Sequence, residues 1–152
     1  YSSAASDVYK RQISSGASAE VIALCREFGE YLGYCFQIKD DIFDYFKEAN
    51  IGKPTGNDIR EGKVTLPLLY ALRQGREEEA ARYLDMILRK DFAAENVDSL
   101  IEFAKANGGI EYAEARMKEY HDKAVDVLLR LPESGARTSL IQLADYIMTR
   151  SK

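Results

Sequence analysis

Gln37, Asp40, Asp41 and Asp44 fall at i, i+3, i+4 and i+7, the spacing that places side chains on one face of a helix. Three carboxylates and an amide arranged this way make an oxygen-donor stripe suited to a hard divalent cation. With no histidine or cysteine in it, the stripe favours Mg²⁺ over zinc or copper. Magnesium keeps several waters and takes one or two carboxylates plus substrate phosphates. Asp40 and Asp44, one turn apart, suit that partial coordination. Asp41 is rotated from Asp40 by about 100° and is placed to orient the metal's own ligands.

Without a cation the arrangement is costly. Like charges at i,i+4 destabilise a helix by roughly a few tenths of a kcal/mol per pair. The apolar periodicity predicts a helix from near Ser18 to near Asn50, so the aspartates sit toward its C-terminal end, where the helix dipole disfavours negative charge. The plain alternative is a solvated acidic face. Tyr34, Phe36, Ile38, Ile42, Phe43, Tyr45 and Phe46 flank the stripe and leave little room for a simple solvent face, whereas a bound cation relieves every penalty at once.

The next segment, Asn50-Ile-Gly52-Lys53-Pro54-Thr-Gly56-Asn-Asp58, is a loop by its glycines and proline, and Gly62 closes it. Lys53 and Lys63 flank it, with Arg60 between them. Cations beside carboxylates can simply pair with them. Two lysines on a glycine-bearing loop next to a metal-type face also make a phosphate clamp, because Lys acts as a point charge on phosphate oxygens and Gly lets the backbone bend around a ligand. Asp58 either orients a lysine or caps a turn.

The elements that must position these groups are helices. Beyond the loop, Thr65 caps a helix with Pro67 in its first turn, and Gly75 ends it. Amphipathic helices follow over residues 76–90, with Ala80, Tyr83, Leu84, Ile87 and Leu88 as its apolar face, and over about Val97 to Ala106. Ile110, Ala113, Met117, Tyr120, Ala124, Val127 and Leu131 form the seam of a long helix that Pro132 and Gly135 break. Leu140, Leu143, Ala144, Ile147 and Met148 mark the last helix. No strand or repeat is evident, so the fold class is all-α, an antiparallel helix bundle.

A chain of 152 residues, 46% hydrophobic and 30% charged, is ordinary for one globular domain. The net charge of −4 argues against general nucleic-acid or membrane-surface binding, and no apolar run is long enough for a membrane span. Cys25 and Cys35 stand roughly 15 Å apart along one helix, too far for a disulfide. They read as reduced, partly buried thiols of a cytoplasmic protein. His121, the sole histidine, has no second ligand or nucleophile beside it and reads as a surface or seam-edge residue.

Phe36-Gln37-Ile38-x-Asp40-Asp41-x-x-Asp44, followed by Gly52-Lys53-Pro54-x-Gly56-x-Asp58-x-x-x-Gly62-Lys63-x-Thr65-Leu66-Pro67, resembles the second aspartate-rich region of the trans-polyprenyl diphosphate synthases. The similarity runs from Gly16-Ala17-Ser18 and Phe28-Gly29-x-x-Leu32-Gly33 to Leu143-x-x-Tyr146-x-x-x-Arg150. The Gly-Lys-x-Thr-Leu-Pro wording looks like the medium- and long-chain members. The resemblance implies the C-terminal part of an isoprenoid synthase fold and head-to-tail condensation, in which an allylic diphosphate ionises with help from Mg²⁺ and isopentenyl diphosphate attacks the carbocation. By matching positions, Asp40 and Asp44 hold Mg²⁺ and Lys53 and Lys63 bind phosphate. Gln37 faces the developing cation, and Asp40, Asp41, Asp44 and Lys53 form the catalytic set. The aromatic flank shields the cation or simply packs the core. The full-length form is expected to be a homodimer.

The family's first aspartate-rich motif, its trailing arginines and its upstream basic site have no counterpart here. Residues 1–13 read as a non-family or artefactual segment, a linker or assembly remnant, and residues 14–152 as a partial polyprenyl synthase domain. The alternative is a noncatalytic Mg–diphosphate-binding or partner subunit of a synthase. A terpene cyclase would pair its aspartates with a different second metal motif, which Gly-Lys-x-Thr-Leu-Pro does not fit.

Overall fold

A computed structural model of the chain describes residues 16–46 and 55–150. Seven helices follow in order among these residues: α1 Ala19–Phe43, α2 Asn57–Arg60, α3 Leu66–Gln74, α4 Glu77–Leu88, α5 Ala94–Ala106, α6 Gly109–Leu129 and α7 Gly135–Thr149. No strand occurs among the described residues. The all-α expectation holds. Two compact units divide the chain, one made of residues up to Lys39 together with those from Arg116, the other of Asp40–Ala115.

The first unit is built on the apolar seams of α1, α6 and α7. Leu24 and Phe28 of α1 pack with Ala124, Val127 and Leu128 of α6, and Leu140 and Ile141 of α7 lie against that cluster. Further along α1, the Cys35 thiol donates to the Met117 carbonyl at 3.4 Å. Contacts that advance on α1 while receding on α6 mean an antiparallel pair, as the seam predicts. His121 Nε2 lies 2.8 Å from Asp145 Oδ1, which joins α6 to α7 near the edge of the seam. Lys39 Nζ donates to the Met148 carbonyl at 3.0 Å, satisfying one acceptor at the C-terminal end of α7. Cys25 and Cys35 are free and buried, and burial pushes the Cys35 thiol up to about 11.

In the second unit α3 packs against α4 and α5. Leu68, Ala71, Val97, Leu100, Ile101, Phe103 and Ala104 are buried there. Tyr70 and Tyr112 stack with ring centroids 4.1 Å apart. The amphipathic helix expected over residues 76–90 forms as α4, and its apolar stripe includes no buried residue. Tyr83 lies 4.4 Å from the Phe103 ring, while Leu84 and Leu88 stay exposed. Periodicity identifies the helix, but the apolar face does not have to be covered within this unit.

The largest difference is the end of α1. It stops at Phe43, not near Asn50. Asp44, Tyr45 and Phe46 donate their amides to the carbonyls of Asp41, Ile42 and Phe43 at 3.1–3.3 Å, a tightened i→i−3 turn. Asp favours caps and turns over helix interiors because its side chain competes for backbone amides, and Asp44 does so here.

Gly56 is where the returning chain touches α5. Its φ is +74°, and a Cβ added there would lie 2.4 Å from Val97 Cγ1. Gly56→Ala therefore combines left-handed backbone strain with overpacking. A loss of about 2–4 kcal/mol is expected, measurable as a lower urea midpoint with an unchanged slope.

Candidate functional site

The site is built on the C-terminal end of α1 and the segment that returns to it. Asp40 and Asp41 lie in the last turn of α1, half-buried, in a turn with no basic residue. Gln37 lies on the same helix and is exposed. The expected four-residue stripe does not form, because Asp44 has left the helix.

Asp44 is 8% exposed. Its Oδ1 accepts the Asn57 amide and its Oδ2 the Asp58 amide, both at 3.0 Å. Its carbonyl accepts the Gly56 amide at 2.9 Å. The N-cap position of α2 is Gly56, which has no side chain to offer, so Asp44, thirteen positions before Asn57, supplies the cap. A carboxylate at a helix N-terminus also meets the favourable end of the backbone dipoles. Each oxygen retains a lone pair, so this geometry leaves Asp44 capable of further bonds.

Of the two roles open from the sequence, the Asp58 side chain takes the first, holding a lysine. Its amide donates to Asp44, and its Oδ1 accepts from Lys63 Nζ at 3.0 Å. Lys63 also lies 2.7 Å from Glu61 Oε2. These carboxylates, Glu61 foremost, hold the ammonium charged well above the usual lysine range. Lys63 is largely exposed, and ion pairs in such settings exchange readily with water or a competing anion. Arg60 turns inward, its guanidinium donating to the Thr55 carbonyl. Lys53 lies outside the described residues, so its expected place opposite the carboxylates stays an expectation.

The aromatic flank alternates instead of enclosing the acids. Ile38, Ile42 and Tyr45 are buried, while Tyr34, Phe36 and Phe46 are 41–48% exposed. The Arg150 guanidinium sits 4.2 Å from the Phe36 ring centroid, and Lys105 Nζ lies 5.3 Å from that of Phe46. Tyr45 anchors the turn after α1. Its hydroxyl meets Thr65 Oγ1 at 2.8 Å, and burial pushes its phenol up to about 12. Thr65 occupies the N-cap of α3 without using its side chain as a cap; the hydroxyl engages Tyr45. Sequence reasoning missed this pair and the Asp44 cap, since nothing in local spacing joins residues twenty and thirteen positions apart.

Among the described residues no three His, Cys, Asp or Glu side chains are gathered as a metal cage. Residues 2–104 match the polyprenyl synthetase family model. The chain belongs to the polyprenyl synthetase family. The match begins within the segment 1–13 set apart above. Octaprenyl diphosphate synthase of Haemophilus influenzae is 38% identical over 140 residues, covering 91% of this chain and 42% of that protein. Geranylgeranyl pyrophosphate synthase from Bacteroides thetaiotaomicron superposes with a TM-score of 0.89 at 42% identity, over 97% of this chain and 48% of that one. A polyprenyl synthase from Caulobacter crescentus, complexed with calcium and isoprenyl diphosphate, gives 0.86 at 30% identity, over 97% and 45%. The chain thus spans less than half the length of these relatives. Its membership places the all-α architecture within the isoprenoid synthase fold, and no described helix is long and apolar enough to cross a membrane.

Tyr45→Phe removes one end of the hydroxyl pair without changing the ring. A loss of about 0.5–1.5 kcal/mol is expected, read by urea unfolding. No change would mean that the bond adds nothing to the turn.

Proposed function

We propose that the chain is the second-aspartate-motif part of a trans-prenyltransferase that condenses isopentenyl diphosphate with an allylic diphosphate to give a medium- or long-chain polyprenyl diphosphate. The observation that carries this reading is the pair Asp40 and Asp41 in the last turn of α1, beside a returning segment that Asp44 fastens by two backbone amides. Negative charge at a helix C-terminus is disfavoured by the helix dipole, and a divalent cation beside it is correspondingly favoured.

The donor set fits magnesium, which binds through few carboxylates and completes its shell with phosphate oxygens and water. Asp40 would hold the ion directly and Asp41 would orient its ligands. Asp44 adds the lone pairs not already given to Asn57 and Asp58. When bound, magnesium supplies charge stabilisation to the departing diphosphate. Lys63, and Lys53 with it, act as point charges on phosphate oxygens. Gln37 faces the allylic carbon as it becomes positive. The allylic C–O electron pair leaves with the diphosphate, the isopentenyl double bond attacks the carbon left behind, and the tertiary cation so formed loses a neighbouring proton to the released diphosphate, which makes the new double bond. We assign the full-length form as a homodimer in the cytoplasm, a compartment that suits two free buried thiols.

The test is incubation of the 152-residue chain, completed by an upstream half that carries the family's first aspartate-rich motif, with Mg²⁺, an allylic diphosphate and labelled isopentenyl diphosphate. Labelled polyprenyl product is the expected result. Magnesium-dependent binding without product would replace this reading with a noncatalytic diphosphate-binding subunit. Neither binding nor product would overturn both.

A further inference from the structure

Asp44 does something in this fold that a metal ligand alone would not need to do. It is almost fully buried, and both its carboxylate oxygens already accept backbone amides, from Asn57 and from Asp58. Its carbonyl takes a third amide, from Gly56. Three consecutive residues of the returning chain are therefore fastened to one side chain and its backbone. Charge-assisted bonds to backbone amides are among the stronger ones a protein makes.

The fastening continues outward. Asp58, whose amide Asp44 holds, accepts the Lys63 amide on its carbonyl at 2.8 Å and the Lys63 ammonium on its Oδ1 at 3.0 Å. The Gly62 amide closes on the Ile59 carbonyl at 2.9 Å, so the turn between them is internally tied. A continuous path of hydrogen bonds leads from the buried carboxylate through α2 to an exposed cation, and every link lies in the second unit. A lysine loses much side-chain entropy when it settles on a ligand, so a backbone fixed in advance lowers the cost of binding.

We propose that Asp44 is a positioning residue for diphosphate binding, acting through α2 and Asp58 on Lys63, and that this contribution needs no metal. The inference rests on the assignment of Lys63 as a phosphate contact under the proposed function. It differs from a ligand role in a measurable way. A residue that acts only through magnesium matters only when magnesium is present.

Affinity for inorganic diphosphate at low salt, in EDTA and then in Mg²⁺, separates the cases. Wild type, Asp44→Asn, Lys63→Met and the double variant are compared, with hydrogen exchange at the Asn57 and Asp58 amides as a second readout. Asp44→Asn keeps one of the two amide acceptors and is the variant to read where Asp44→Ala fails to fold. The expected result in EDTA is binding weakened by about three- to tenfold in Asp44→Asn, with faster exchange at both amides, and no further loss when Lys63→Met is added, the non-additivity of residues on one path. Wild-type affinity for Asp44→Asn in EDTA, or full additivity, would overturn the inference. Wild-type binding only in Mg²⁺ would overturn it too, while leaving the proposed function intact. No binding in either condition would remove the site reading itself.

Discussion

One buried carboxylate meeting two backbone amides organises the candidate site. Asp44 ends α1, turns the chain and receives α2, so the acids on the helix and the basic segment after it are parts of one covalent and hydrogen-bonded unit. The geometry replaces what α2 lacks, a side chain at its own N-cap. It also explains why the chain tolerates a glycine with positive φ at Gly56, whose lack of a Cβ lets it press against Val97 and Ile101. Removing the cap would leave two part-buried amides without their acceptor, a cost above the net value of the bonds themselves.

The rest of the second unit supports that turn from beneath. Tyr45 is wholly buried next to Asp44, and its hydroxyl reaches the first turn of α3 through Thr65. Two consecutive residues thus fasten the end of α1, one to α2 and the other to α3. Above them Asp40 and Asp41 remain at a helix end that repels their charge.

Much of this was legible from residue types and order. Helical periodicity found six of the elements that the structure contains, including the α6 seam, whose members from Ile110 to Val127 are buried or half-buried. The motif spacing found the family. What escaped was whatever depends on distant partners. By period alone Asp44 belongs to the acidic stripe of α1 as well as Asp40 does, and only the amides of Asn57 and Asp58 decide between helix and turn. The amphipathic pattern of α4 shows which side is apolar and not what covers it. Thr65 was placed correctly at its N-cap, yet its hydroxyl was claimed by a tyrosine no local rule connects to it. Lys63 shows the plainer side of cation placement, paired with Asp58 and Glu61 while still facing solvent.

The central claim is that the carboxylate on the last turn of α1 draws a metal and, with it, a diphosphate. Calorimetric titration of the chain and of Asp40→Ala with inorganic diphosphate, across a series of Mg²⁺ concentrations, tests it most directly. The account predicts that wild-type affinity rises with Mg²⁺ while the Asp40→Ala affinity stays flat, with the variant at least as stable because a repulsive charge is gone. Equal Mg²⁺ dependence in the two proteins would contradict it.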